Sequence, residues 1–267
     1  MRPDLKEAVN FIKQEIKLLP KFALILGSGL GDFADTFENA IKIPTHKIPH
    51  YPVSTVEGHK GFLIIGKYNN IPLLAVQGRT HYYEGYAASK VSFVVEIMAA
   101  IGIETLLVTN AAGSTNPGIE PGSLMLIADQ VNFLFDSPLR GNHHFTDMSN
   151  PFSAELTEQI NEIALGKSIP LKKGVLWTSS GPTYETAAEI RMISKFGGDA
   201  VSMSTVPEVI MANRLGIKTI GLSCITNYAT GIAKTKLSHV DVTETAAKVK
   251  QQFISLVAAI ITDISNP

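Results

Sequence analysis

The stretch FALILGSGLGDF, residues 22–33, sets five apolar residues directly before the run Gly27-Ser28-Gly29-Leu30-Gly31. Their apolar character is continuous rather than alternating, so they read as a strand buried on both faces, in a sheet covered by helices. The glycines at its carboxyl end leave backbone bare enough to wrap an anion beside the Ser28 hydroxyl, and phosphate is the natural guest. A tight strand-to-helix turn fits the same residues equally well. A dinucleotide fingerprint does not, because Asp32 stands where its third glycine belongs.

Working outward, similar runs recur at 62–66, 72–76, 105–109, 124–128, 174–178, 199–203 and 219–225, and each reads as a strand. Helical patterns lie between them. Leu5, Val9, Ile12 and Ile16 share one face; Ser89–Ile101 opens on a Ser cap and stops before Gly102. Glu185–Phe196 is closed by Gly197, Pro207–Leu215 is opened by Pro and closed by Gly216, and a last helix covers about Val240–Ile264. The fold class is therefore α/β, a sheet sandwiched by helices. With no linker, repeat or low-complexity tract, residues 1–267 form one domain. Residues 129–153, rich in Asn, His, Pro and Phe, read as a long functional loop.

The 267 residues are 45% hydrophobic and 18% charged, which excludes disorder, collagen and coiled coil. A net charge of −1 with interspersed signs leaves no basic stripe for nucleic acid. The lone Cys224 lies in an apolar run and cannot form an intrachain disulfide, which suits a reducing compartment. The first residues lack the apolar core of a signal peptide, and Leu256–Ile261 falls far short of the roughly 20 residues of a membrane span, so the expected location is the cytoplasm.

Several chemistries fail on spacing. Gly166-Lys167-Ser168 lacks the earlier glycine of a phosphate-binding Walker loop, Gly221-Leu222-Ser223-Cys224-Ile225 is not a serine-hydrolase elbow, and His143-His144 has no metal-ligand partner pattern. No metal is indicated. In VQGRTHYYEGY (76–86), Arg79, His81 and Tyr83 share one direction if the chain stays extended, and Arg79 offers a fork of donors to phosphate oxygens. A surface Arg79–Glu84 pair is the plainer alternative. The small residues after the strand at 105–109 expose backbone N–H groups around Ala111–Gly113, or form a long turn. Ser204 precedes a Pro-initiated helix, where hydroxyl and helix terminus together suit an anion, or simply an N-cap. Asn227 offers an amide that both donates and accepts, as reading a purine edge requires; a turn-capping Asn looks the same. All these segments end strands, the edge where open α/β sheets bind ligands.

Taken together, LGSGLGDF, EGHKG, QGRTHYYEGY, NAAGSTNPG, PLRG, GPTYETAAEIR, MSTVPEV and ITN, spread from residue 24 to about 239, resemble purine nucleoside phosphorylases of the trimeric class. The resemblance implies a single-domain mixed β-sheet sandwiched by helices and a homotrimer with sites near subunit boundaries. It also implies reversible phosphorolysis of 6-oxopurine (deoxy)ribonucleosides to free base and (deoxy)ribose 1-phosphate, a purine-salvage reaction with inorganic phosphate as a substrate and no cofactor. By the same motifs, phosphate would meet Ser28, Arg79, His81, the Ala112 N–H and Ser204, with His59 near its entrance. Ribose would meet Tyr83, Met203 and His239. The base would be held by Glu185 and Asn227 with Tyr184 against its face, leaving Asn227, Glu185 and His81 as the catalytic group. Phe145, in the loop after PLRG, would close the neighbouring subunit's pocket. Tyr228 stands where some relatives carry Lys.

Such cleavage passes through an oxocarbenium-like sugar and needs no covalent enzyme intermediate, because phosphate is the nucleophile. The related methylthioadenosine phosphorylases carry Asp at the position of Asn227 and Thr at that of Ser204, which argues against that activity. A nucleoside hydrolase would bring a calcium-holding aspartate cluster, which is not visible near the amino terminus. A non-catalytic purine nucleotide-binding module could use the same glycine loops.

Overall fold

Along β1 (Phe22–Leu26) every residue is buried, and alternate side chains join different cores. Phe22, Leu24 and Leu26 pack in the cluster that holds Phe253, Leu256 and Ile260 of the last helix; Ala23 and Ile25 pack in the cluster that holds Ile12 and Phe93. The strand is apolar throughout because helices cover both of its faces.

The structure is a computed structural model that describes residues 1–27, 30–56, 60–143, 145–232 and 239–265, with 239–244 and 246 described by backbone alone. Its further strands are β2 (Glu38–Pro44), β3 (Phe62–Tyr68), β4 (Ile71–Gln77), β5 (Thr105–Ser114), β6 (Leu124–Asn132), β7 (Leu171–Thr178), β8 (Ala200–Ser202) and β9 (Lys218–Tyr228). They form one sheet in the order β2-β3-β4-β1-β5-β8-β7-β6-β9, and β9 pairs again with β5. The last five strands thus close into a ring. β4, β1, β5 and β9 run parallel, whereas β2/β3, β3/β4, β5/β8 and β6/β9 are antiparallel, so the sheet is mixed, as expected. The helices are α1 (Pro3–Glu15), α2 (Ala88–Val91), α3 (Phe93–Ile101), α4 (Ala154–Gly166), α5 (Ala187–Lys195), α6 (Val206–Arg214) and α7 (His239–Ser265). Among the described residues, no helix is long and apolar enough to cross a membrane.

Several expectations need correction. β2 gave no apolar run because it is an outer strand, mostly exposed, in which Glu38, Asn39 and Lys42 interrupt the apolar residues. The single helix from Ser89 is two helices broken at Ser92; its first cap is Ala87, and the Ser92 hydroxyl turns back onto the Ser89 carbonyl. α4, opened by Ser153 whose Oγ accepts from the Leu156 N–H, was not foreseen as a whole helix, and Gly166-Lys167-Ser168 closes it, whereas a Walker loop opens a helix. Residues 129–132 of the expected loop extend β6. Helix α5 begins two residues late, since Thr186 and Glu189 form a capping box, and this leaves Glu185 on the loop before the helix.

Candidate active site

Four parallel strands, β4, β1, β5 and β9, deliver their carboxyl ends to one edge. Gly27 follows β1 with its N–H donating to Thr109 Oγ1 at 2.9 Å. A Cβ on Gly27 would lie 2.8 Å from the Asn110 α-carbon, so only glycine lets the end of β1 lie against β5. β5 does not stop at Thr109 but runs on to Ser114, so Ala111–Gly113 is strand rather than turn. Its register against β9 slips between Ala112 and Gly113, a bulge that re-aims the backbone there. β8 runs antiparallel to β5, not with it, and so carries Ser204 back beside Ala111, whose carbonyl accepts from Ser202 Oγ at 3.1 Å.

These ends enclose a cleft of about 770 Å³. Of the residues assigned to phosphate, Arg79, His81, Ala112 and Ser204 line it; of those assigned to ribose, Tyr83 and Met203; of those assigned to the base, Tyr184, Glu185 and Asn227. Ser28 and His59 lie outside the described residues, as does the side chain of His239, whose backbone opens α7. Phe145 is fully exposed and does not line the cleft of its own chain.

Arg79 is 3% exposed and does not pair with Glu84. Its Nη1 donates to Ser204 Oγ at 2.7 Å and to Thr205 Oγ1 at 2.9 Å, and its Nε faces Glu208 Oε1 at 3.3 Å. Burial pulls the Arg79 pKa down while Glu208 opposes that pull. Thr205 caps α6 at φ 83°, a left-handed conformation costing a β-branched residue about 1–3 kcal/mol, as strained residues at sites do. Its hydroxyl also accepts from Asn110 Nδ2 at 2.9 Å. The expected extended face 79–83 is not extended either: Tyr82–Glu84 is a 3-10 turn. The His81 and Tyr83 rings stack at 4.7 Å, and Glu84 Oε1 lies 3.4 Å from His81 Nδ1. Burial pushes the Glu84 carboxyl up, but hydrogen bonds from His81 and Thr55 outweigh it and hold the pKa at about 2. Burial raises Tyr83 to about 12, so its phenol stays neutral.

Asn227 is oriented from both sides. Thr226 Oγ1 donates to its Oδ1 at 2.8 Å, and its Nδ2 donates to the Tyr228 carbonyl at 3.0 Å, leaving the second Nδ2 hydrogen for a ligand. A Cβ on Gly113 would come within 3.0 Å of that Nδ2. Glu185 Oε1 is buried with no hydrogen-bond partner among the described residues, and burial raises the pKa of the carboxyl. Sequence patterns missed Asn110, Thr205, Glu208 and Thr226. Only Glu208 left a signal: an acid in the first turn of a helix whose other residues are apolar up to Asn213.

A buried cation beside hydroxyls and strand-end backbone, with an oriented amide and a desolvated carboxyl in the same cleft, has the chemistry to receive an anion and a polar heterocycle together. The family model described as "Phosphorylase superfamily" matches residues 21–262. Purine nucleoside phosphorylase 1 of Bacillus subtilis (strain 168) is 47% identical over 267 residues, 98% of each chain. Among solved structures, a schistosome purine nucleoside phosphorylase in complex with hypoxanthine superposes with a TM-score of 0.91 at 31% identity, over 96% of this chain and 95% of that one. Isoform 2 from Schistosoma mansoni, in complex with cytosine and ribose-1-phosphate, gives a TM-score of 0.92 at 34% identity, over 97% and 95%. The chain belongs to the phosphorylase superfamily and, within it, to the purine nucleoside phosphorylases; it is an enzyme of that class, a pentosyltransferase.

Proposed function

We propose that this enzyme phosphorolyses 6-oxopurine (deoxy)ribonucleosides such as inosine and guanosine, reversibly and without a covalent intermediate. The observation that carries this reading is the presence in one cleft of Arg79, His81 and Ser204 with Glu185 and Asn227. Phosphate binds against Arg79, Ser204, His81 and the Ala112 N–H. Ser28 and His59 complete that site, and His239 meets the ribose. Fixing the nucleophile beside the anomeric carbon converts an encounter into an oriented step, worth several kcal/mol at most about 7–11. Tyr83 and Met203 flank the sugar. As the C–N bond breaks, the phosphate charge steadies the sugar cation, while Asn227 Nδ2 donates to the purine, where negative charge accumulates. Glu185, as carboxylate, accepts from N1–H.

No metal or organic cofactor takes part, and the chain acts as a cytoplasmic homotrimer in purine salvage, with Phe145 reaching a neighbouring cleft. Its full exposure supports that role. The experiment is base release from inosine by the purified enzyme with and without inorganic phosphate. Strict phosphate dependence is expected; release into water without phosphate contradicts phosphorolysis.

The raised pKa of Glu185 gives this reading a pH signature. A carboxyl with a raised pKa keeps its proton to higher pH, and a protonated Glu185 cannot accept from N1–H. It can donate to the bare N1 of adenosine. The ratio of kcat/KM for inosine to that for adenosine is therefore expected to fall as pH drops through the Glu185 pKa. Phosphate ionisation affects both substrates alike and cancels in the ratio. In Glu185→Gln the ratio should be flat with pH, and a wild-type slope persisting in that variant would assign the titration to another group.

A further inference from the structure

Arg79 and Glu208 form a buried ion pair, with side chains 2% and 1% exposed, directly beside the cleft. Each charge alone would be strongly unfavourable in that position, so each requires the other while no anion is bound. The short segment Ser204–Glu208 supplies three groups to one guanidinium: the Ser204 hydroxyl, the Thr205 hydroxyl and the Glu208 carboxylate. Thr205 accepts from Arg79 and from Asn110, so both oxygen lone pairs are used and the hydroxyl is held from two sides. Its left-handed backbone turns the chain from Ser204 into α6, whose first turn then carries Glu208.

We propose that Glu208 is a positioning residue for phosphate binding: its carboxylate holds and neutralises the Arg79 guanidinium in the unliganded enzyme, and it does so at the expense of phosphate affinity. This rests on the reading of Arg79 as a phosphate ligand. A phosphate dianion at Arg79 enters the field of the Glu208 anion, and in a poorly solvated cleft that repulsion offsets part of the attraction to the cation. Removing only the charge should therefore strengthen phosphate binding while weakening the empty enzyme. Removing the side chain that packs against Nε as well should release the guanidinium from its aim.

The test compares Glu208→Gln and Glu208→Ala with the wild-type enzyme, by KM for phosphate and for inosine and by melting with and without inorganic phosphate. In Glu208→Gln, phosphate KM should fall about fivefold or more while inosine KM stays within about twofold. The unliganded variant should melt below wild type, and saturating phosphate should raise its Tm by more than it raises that of wild type. In Glu208→Ala, phosphate KM should rise about tenfold. Phosphate KM unmoved in both, or phosphate and inosine KM shifting together, overturns the proposal. If neither Glu208 variant folds, Thr205→Val, which removes one hydroxyl at similar volume, should raise phosphate KM about fivefold and spare inosine KM. An unmoved phosphate KM there overturns it equally. The Arg79 variants described below separate the two readings: a phosphate effect at Arg79 with none at Glu208 removes only the positioning role.

Discussion

Replacing Arg79 with Ala is expected to raise the phosphate KM by about 100-fold or more while inosine KM stays within about threefold. Two charge-assisted hydrogen bonds to phosphate at about 1.5–3 kcal/mol each account for the size of the loss. The nucleoside meets other side chains, so its binding is spared. The variant also leaves Glu208 buried without its cation, which destabilises the fold by about 3–5 kcal/mol. Arg79→Lys separates the two effects. It keeps the charge and hence most of the stability, but a single ammonium cannot serve Ser204, Thr205, Glu208 and phosphate from one planar fork, so phosphate KM should still rise about tenfold. Steady-state kinetics with each substrate varied in turn, alongside thermal melting, decide the matter. Equal increases in both KM values would make Arg79 a structural residue and remove the phosphate reading.

The contrast between Arg79 and its surroundings also shows what a sequence can reveal. The strands with two buried faces were legible, because continuous apolar runs such as FALIL have no other stable placement, and their carboxyl ends located the ligand edge. β2 was not, since an exposed outer strand carries little apolar signal. The closing of β5, β8, β7, β6 and β9 into a ring was not legible either; pairing depends on register between distant segments, and β8 contributes only three residues to it. Glycines and hydroxyls at strand ends marked the residues facing the cleft, where a bare backbone or a lone cation is conspicuous. The residues behind them were silent. Glu208 and Thr226 contact Arg79 and Asn227, and they are hidden in ordinary apolar patterns or have partners distant in sequence. Sequence therefore read the layer that lines the cleft and missed the layer that holds it in place.

The second large effect concerns Asn227, whose aim is set by that hidden layer. Asn227→Asp should cut kcat/KM for inosine by about 100- to 1,000-fold and raise adenosine relative to it. The carboxyl loses the Nδ2 hydrogen that serves the purine and sets an anion where the leaving base itself becomes negative, which together amount to about 3–4 kcal/mol in the transition state. Thr226 Oγ1 can still donate to one oxygen of the new side chain, so its position is kept. The other oxygen faces the Tyr228 carbonyl, which formerly accepted from Nδ2, and that contact favours a protonated acid or a partner that donates. The exocyclic amine of adenine is such a partner, and the carbonyl of hypoxanthine is not. Thr226→Val tests the aim separately: it leaves Asn227 in place but free to flip, and a loss of about tenfold with inosine and a smaller one with adenosine is expected, because the flipped amide turns its oxygen to the purine. Competition between inosine and adenosine in one reaction measures the ratio directly. An inosine preference as strong in Asn227→Asp as in the wild-type enzyme would mean that Asn227 does not read the purine edge, and discrimination would then rest on Glu185 alone.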